Sequence, residues 1–109
     1  MSKLSKQEEN ILLAVWKLGS EAYAIPIRTY LKKITGNSIS IGGIYVPLDR
    51  LVRKGYLDCY QSESKPERGG MSRRYFNLTK KGYHALQASR HVYEQLWNAL
   101  PEISFKGSD

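Results

Sequence analysis

His84 and His91 are the only two histidines of the chain, and Cys59 is its one cysteine. Seven residues of helix separate the imidazoles by two turns on one face. A metal site needs ligands closer together and a third partner, so the pair reads as surface histidines and no metal ligand set is expected. Cys59 falls in a strand-like run with no histidine near it in sequence. It reads as a buried or half-buried structural thiol rather than a nucleophile. No phosphate loop and no dinucleotide fingerprint is present. No catalytic residues and no cofactor are expected, and the chain does not read as an enzyme.

The cations offer a different chemistry. Seventeen Lys and Arg against ten Asp and Glu give a net charge of +7 over 109 residues. That excess points to a polyanion, either nucleic acid or an anionic membrane surface. It is concentrated in residues 41–81, with nine basic and four acidic side chains. Two clusters stand out there. Gly42, Gly43, Tyr45, Val46, Asp49, Arg50 and Arg53 fall on the outward positions of a helix that Ser40 can cap. Glycines let backbone come close to a phosphate, and amides at a helix start suit an anion. Tyr45 offers a hydroxyl to phosphate and a ring to thymine methyl groups, while Arg50 and Arg53 reach phosphates or guanine edges. Further along, Lys65, Arg68, Arg73 and Arg74 bracket a Gly-Gly turn. A basic tip between paired strands lays cations beside the DNA backbone or in a minor groove.

The elements that must position these groups are legible from periodicity and caps. Ser5 and Glu8 match a capping box. Ile11, Leu12, Val15 and Leu18 follow along one face, and Gly19 stops the helix, giving a first helix over 5–18. A second opens near Ala24 with Pro26 in its first turn and carries Ile27, Tyr30, Leu31 and Ile34 up to Gly36-Asn37. The third follows Ser40, buries Ile44, Leu48, Leu51 and Val52, and closes at Gly55. Pro47 conflicts with a regular helix interior. A regular helix starting nearer Ile44, after a looser Gly42-Gly43 turn, would relieve the conflict. The runs 56–61 and 74–78 have strand content, and the Pro- and Gly-containing stretch between them makes a hairpin with a long tip. Thr79 caps a last helix reaching about Leu100, before Pro101.

That last helix carries Tyr83, Leu86, Tyr93, Trp97 and Leu100 on alternating three- and four-residue steps, with Arg90 at the remaining step, the spacing of a coiled-coil seam. Val92, Leu96 and Ala99 add a second apolar side. A lone domain of this size cannot cover such a stripe on a protruding helix; a self-complementary pairing would bury it, and the alternative, open for a different face, is that the helix folds back onto the first helix of its own chain. The dimerisation set is therefore Tyr83, Leu86, Tyr93, Leu96, Trp97 and Leu100. The fold class is mainly α with a small β-hairpin: a winged helix-turn-helix plus a long C-terminal dimerisation helix. Residues 1–78 form the DNA-binding domain, 79–101 the dimerising helix and 102–109 a flexible tail.

Two stretches resemble the PadR family of bacterial regulators. One is Ser40 through Leu57, with its small-residue opening, Tyr-x-x-Leu step and Arg-Leu-x-x-x-Gly turn. The other is Gly69 through Gly82, with the wing strand and the Leu-Thr-x-x-Gly start of the final helix. The resemblance spans about residues 4–100. It implies a homodimeric repressor that leaves operator DNA when a small molecule binds, of the small subfamily with a single C-terminal helix. It places Tyr45 at DNA in the reading helix and Arg73 in the wing. It also implies a flat, aromatic effector at the dimer centre, for which Trp97, Tyr93 and Trp16 are the candidate residues. The sequence departs from the family pattern at Tyr23-Ala24, where Tyr-Gly is common, and at Val46, where the family commonly has Pro. The alternative is a winged-helix module that binds protein without an operator. No apolar run approaches the length of a membrane span, the N-terminus lacks the apolar core of a signal peptide, and a cytoplasmic location is expected.

Overall fold

The computed structural model describes residues 3–62 and 73–107. Six elements follow in chain order after the Ser5 cap: α1 (Lys6–Leu18), α2 (Ala24–Thr35), α3 (Ile41–Arg53), β1 (Leu57–Gln61), β2 (Arg74–Leu78) and α4 (Lys80–Asn98). A single turn of 3-10 helix, Gly19–Glu21, joins α1 to α2.

The caps act where the sequence puts them. The Glu8 amide donates to Ser5 Oγ at 3.1 Å, and the Ser5 amide donates to the Glu8 carboxylate at 2.8 Å. Gly36 ends α2 at φ +77°, a left-handed conformation open to glycine at little steric cost. Ser40 and Thr79 cap α3 and α4 by accepting from the amides of Gly43 and Gly82.

α3 departs from expectation. It is regular from Ile41, so Gly42 and Gly43 belong to the helix and do not form a loose turn before it. Pro47 sits inside it and is buried. Its ring leaves the Gly43 carbonyl without the usual donor four residues on, and the helix continues because the same ring fills the core beside Ile44, Leu48 and Leu51.

The core lies between the helices and the inner face of the hairpin. Ile11, Leu12, Ile27, Ile44, Leu48, Leu51, Leu57 and Phe76 are all fully buried. Each such side chain contributes about 1.5–3 kcal/mol by leaving water. The strands pair antiparallel, with Leu57 opposite Leu78 and Cys59 opposite Phe76. A single bridge between Tyr23 and Tyr75 extends the hairpin by one position, and the Phe76 amide donates to the Ala22 carbonyl at 2.9 Å. This third, one-residue strand is absent from the sequence reading, because one bridge has no period.

α4 leaves this body at a tight joint. Thr79 Oγ1 donates to the Gly55 carbonyl at 2.6 Å, and the Thr79 amide donates to the Tyr56 carbonyl at 3.1 Å. Gly82 packs so closely there that a Cβ would lie 2.3 Å from the Tyr56 oxygen. Ala85 and Leu86 still rest on the core. Every residue from His91 to Leu100 is exposed.

Candidate nucleic-acid interface

The exposed side of α3 is a line of Gly42, Val46, Asp49 and Arg53, at steps of four, three and four residues. The N-terminal cap depends on Gly43, where a Cβ would stand 2.8 Å from Ser40 Oγ. Gly43 therefore serves the cap, while Gly42 has nothing within 4 Å of a Cβ and faces open space. Tyr45 is half-buried at one flank of this line, with the Arg74 guanidinium 6.0 Å from its ring.

Arg50 lies on the opposite flank and is turned away. Its Nε donates to Glu8 at 3.0 Å, and Lys54 Nζ donates to the same oxygen at 2.9 Å. The Glu8 side chain is only 4% exposed. Burial pushes its carboxyl up, but hydrogen bonds from the Ser5 amide, Lys54 and Arg50 outweigh burial and hold it at about 2. One carboxylate thus belongs to the α1 cap and also ties α1 to the C-terminal half of α3. The sequence reading gives Arg50 to nucleic acid, whereas the structure gives its Nε to Glu8.

At the base of the wing, Arg74 donates to Asp49 at 2.8 Å and to the Cys59 sulfur at 3.3 Å. These bonds, Cys59 first, push its guanidinium further up from an already high value, so it stays charged and neutralises Asp49. Arg73 lies 4.4 Å over the Tyr23 ring. Tyr23 meets Tyr75 edge-on at 5.3 Å, and Tyr75 stacks on Tyr60 at 5.5 Å. The resulting crevice is lined by Tyr23, Ala24, Ile25, Tyr45, Gln61, Arg73 and Arg74. Tyr45, Arg73 and Arg74, far apart in sequence, are thereby brought to one edge of α3. Arg53 is exposed near its C-terminus, and Ser40 caps its start. Lys65 and Arg68 lie outside the described residues. Sequence reasoning missed Tyr23 and Gln61, since nothing in their spacing marks them.

A second site lies between α1 and α4. It is a groove of about 1020 Å³. Trp16, Tyr83, Leu86, Tyr93 and Trp97 line it, together with Lys6, Glu9 and Leu13. Trp16 is 73% exposed and Trp97 69%. Lys6 Nζ stands 4.4 Å over the Tyr93 ring. Glu9 is buried, and its Oε2 has no hydrogen-bond partner among the described residues. Leu96 and Leu100 are exposed but do not line the groove. Among the described residues, no cluster of His, Cys, Asp and Glu could hold a metal, and no helix is long and apolar enough to cross a membrane.

Solved structures with this arrangement are known. A PadR-like transcription factor from Bacteroides fragilis is 30% identical, with a TM-score of 0.71 over 85% of this chain and 84% of that one. A PadR-like transcriptional regulator from Bacillus cereus shares the fold at 24% identity, with a TM-score of 0.68 over 85% of both chains. So does a PadR family regulator from Clostridium difficile, at 24% identity and a TM-score of 0.63, over 84% of this chain and 92% of that one. No curated protein sequence matches the chain. The model of the transcriptional regulator PadR-like family matches residues 12–88. That span holds most of α1, all of α2 and α3, both wing strands and the start of α4, and the chain belongs to this family of DNA-binding transcription factors, which are not enzymes.

Proposed function

We propose that the chain is a homodimeric repressor whose α3 and wing bind operator DNA and whose α4 pairs with a second copy. The observation that carries this reading is the convergence of Tyr45, Arg73 and Arg74 on one crevice beside the exposed face of α3. These groups suit a phosphate run flanking the groove that α3 enters. Ser40, Gly42, Gly43 and Arg53 complete the reading-helix contacts, and the sequence adds Lys65 and Arg68 to the DNA-binding set. Arg50, whose Nε is held by Glu8, adds its charge to the same set. Residues 1–78 are the reading unit, 79–101 the dimerising helix and 102–109 the tail.

Pairing through Tyr83, Leu86, Tyr93, Leu96, Trp97 and Leu100 removes from water an apolar face that one copy leaves bare. The repressor sense follows from the resemblance: a dimer seated on an operator excludes polymerase by occupancy. The groove, which shares Tyr83, Leu86, Tyr93 and Trp97 with that face, supports release by a flat aromatic molecule bound at the dimer centre. Trp16, Tyr93 and Trp97 offer rings to stack on, and the unpartnered Glu9 oxygen accepts a hydrogen bond. This is the small, single-helix form of the family, working in the cytoplasm.

Fluorescence anisotropy with duplex DNA from upstream of the chain's own gene, at two salt concentrations, tests the reading. Specific binding should weaken with salt at a log–log slope of about −0.9 per phosphate contacted. Tyr45→Ala and Arg73→Ala should each lower affinity roughly tenfold with unchanged melting. Absent or salt-insensitive binding would remove DNA reading and favour a protein-binding module.

A further inference from the structure

We propose that Val46 reads thymine methyl groups, so that each operator half-site contains a thymine recognised through its C5 methyl. The inference rests on the reading of α3 as the element that enters the major groove.

Val46 is 62% exposed on the outward line of α3. An exposed helix face ordinarily carries polar side chains, and this one belongs to a protein of net charge +7. Its neighbours on the line do not compete for the same base edges. Gly42 has no side chain. Asp49 is held by Arg74 at 2.8 Å. Arg53 lies two turns towards the C-terminus. Arg50, the other cation of the helix, is bonded to Glu8. The N-terminal half of a reading helix is the part that meets base edges in this docking mode. There α3 presents the two methyls of Val46, with Tyr45 at its side.

The major groove has one apolar feature among its base edges, the thymine methyl; guanine, adenine and cytosine present only donors and acceptors there. Pressing Val46 against those polar edges would strip them of water without replacing its hydrogen bonds. Against a thymine methyl nothing polar is lost. The Arg74 bond neutralises Asp49 one turn away, so no bare carboxylate repels the phosphates beside this contact. The occupant fitting a hydrocarbon knob on a cationic surface is thus duplex DNA with thymine at that step.

The test uses the full chain and an operator selected by it from a random duplex pool. Each thymine of a half-site is replaced in turn by deoxyuridine, which removes the methyl and keeps the pairing. One position per half-site should weaken binding about fourfold, the worth of one buried methyl. The Val46→Ala protein should lose that sensitivity at that position while melting as the parent does. A half-site in which no deoxyuridine weakens binding overturns the inference, as does a Val46→Ala protein that keeps the parent's sensitivity. In both cases salt-dependent operator binding would persist and DNA reading would stand. A pool that yields no preferred sequence brings down operator reading itself, and this inference with it.

Discussion

The middle of the chain and its last helix treat their side chains in opposite ways. Around α3 and the wing, ionic groups find partners within the same chain: Arg50 and Lys54 on Glu8, Arg74 on Asp49 and Cys59, Arg73 on the Tyr23 ring. Beneath them the core is sealed. From His91 in the second half of α4 to Leu100 just past its end, every residue is exposed, including Val92, Leu96, Trp97 and Leu100. The winged helix buries its apolar residues within itself, while α4 leaves large apolar side chains in water, the face that the proposed pairing would cover. Pre-set ion pairs fix the shape of the surface that the proposed function offers to DNA.

The comparison breaks most visibly at Trp97. Trp97→Asp places a charge on the face that the proposed pairing buries. Dimer affinity should fall at least 30-fold, as for a central aromatic anchor, with the melting of the winged helix little changed at low concentration. Sedimentation equilibrium decides it, and a dimer of undiminished strength would remove the seam. Gly82→Ala acts at the opposite end of the same helix. Its Cβ would meet the Tyr56 oxygen at 2.3 Å, and the shift that follows should destabilise the fold by about 2–3 kcal/mol in urea titration. Glu8→Gln sharpens the contrast further. It leaves Arg50 and Lys54 half-satisfied and should destabilise the chain by about 2 kcal/mol, with no effect on dimer affinity. The sign with pH is fixed by a folded value of about 2, below the ordinary 4.5. The stability Glu8 supplies is fully present above about 4.5 and is lost as pH falls towards 2. The Glu8→Gln chain should therefore show a shallower loss across that window.

Most of the backbone was readable from local signals. Ser5 with Glu8, Ser40 and Thr79 announce three helix starts, Gly36 announces one end, and apolar periodicity supplies the buried face. These signals reach three or four residues, and their physics is complete within that span. What escaped is what depends on residues distant in the chain. The helical position of Arg50 marks it as outward, but its partner Glu8, which draws its Nε aside, lies 42 residues away. The Tyr23–Tyr75 bridge and the Asp49–Arg74 pair are likewise contacts that only the finished fold creates. Pro47 was judged by its local penalty, which buried packing offsets. The apolar stripe of α4 was visible because an exposed seam repeats in sequence, whereas the groove it forms with Trp16 of α1 needed the packing angle of two helices.

Gly82 and Thr79 have a last consequence. They rivet the start of α4 to the turn that ends α3, leaving no hinge between the reading head and its shaft. Nineteen helical residues make a lever arm of about 28 Å. In the proposed dimer, with the far end seated on a second copy, the calliper gap between two heads would be set by how the shafts cross. A wedge of a few ångströms near Trp97 then becomes a comparable misfit at the DNA, transmitted by stiffness alone and without any rearrangement inside the head.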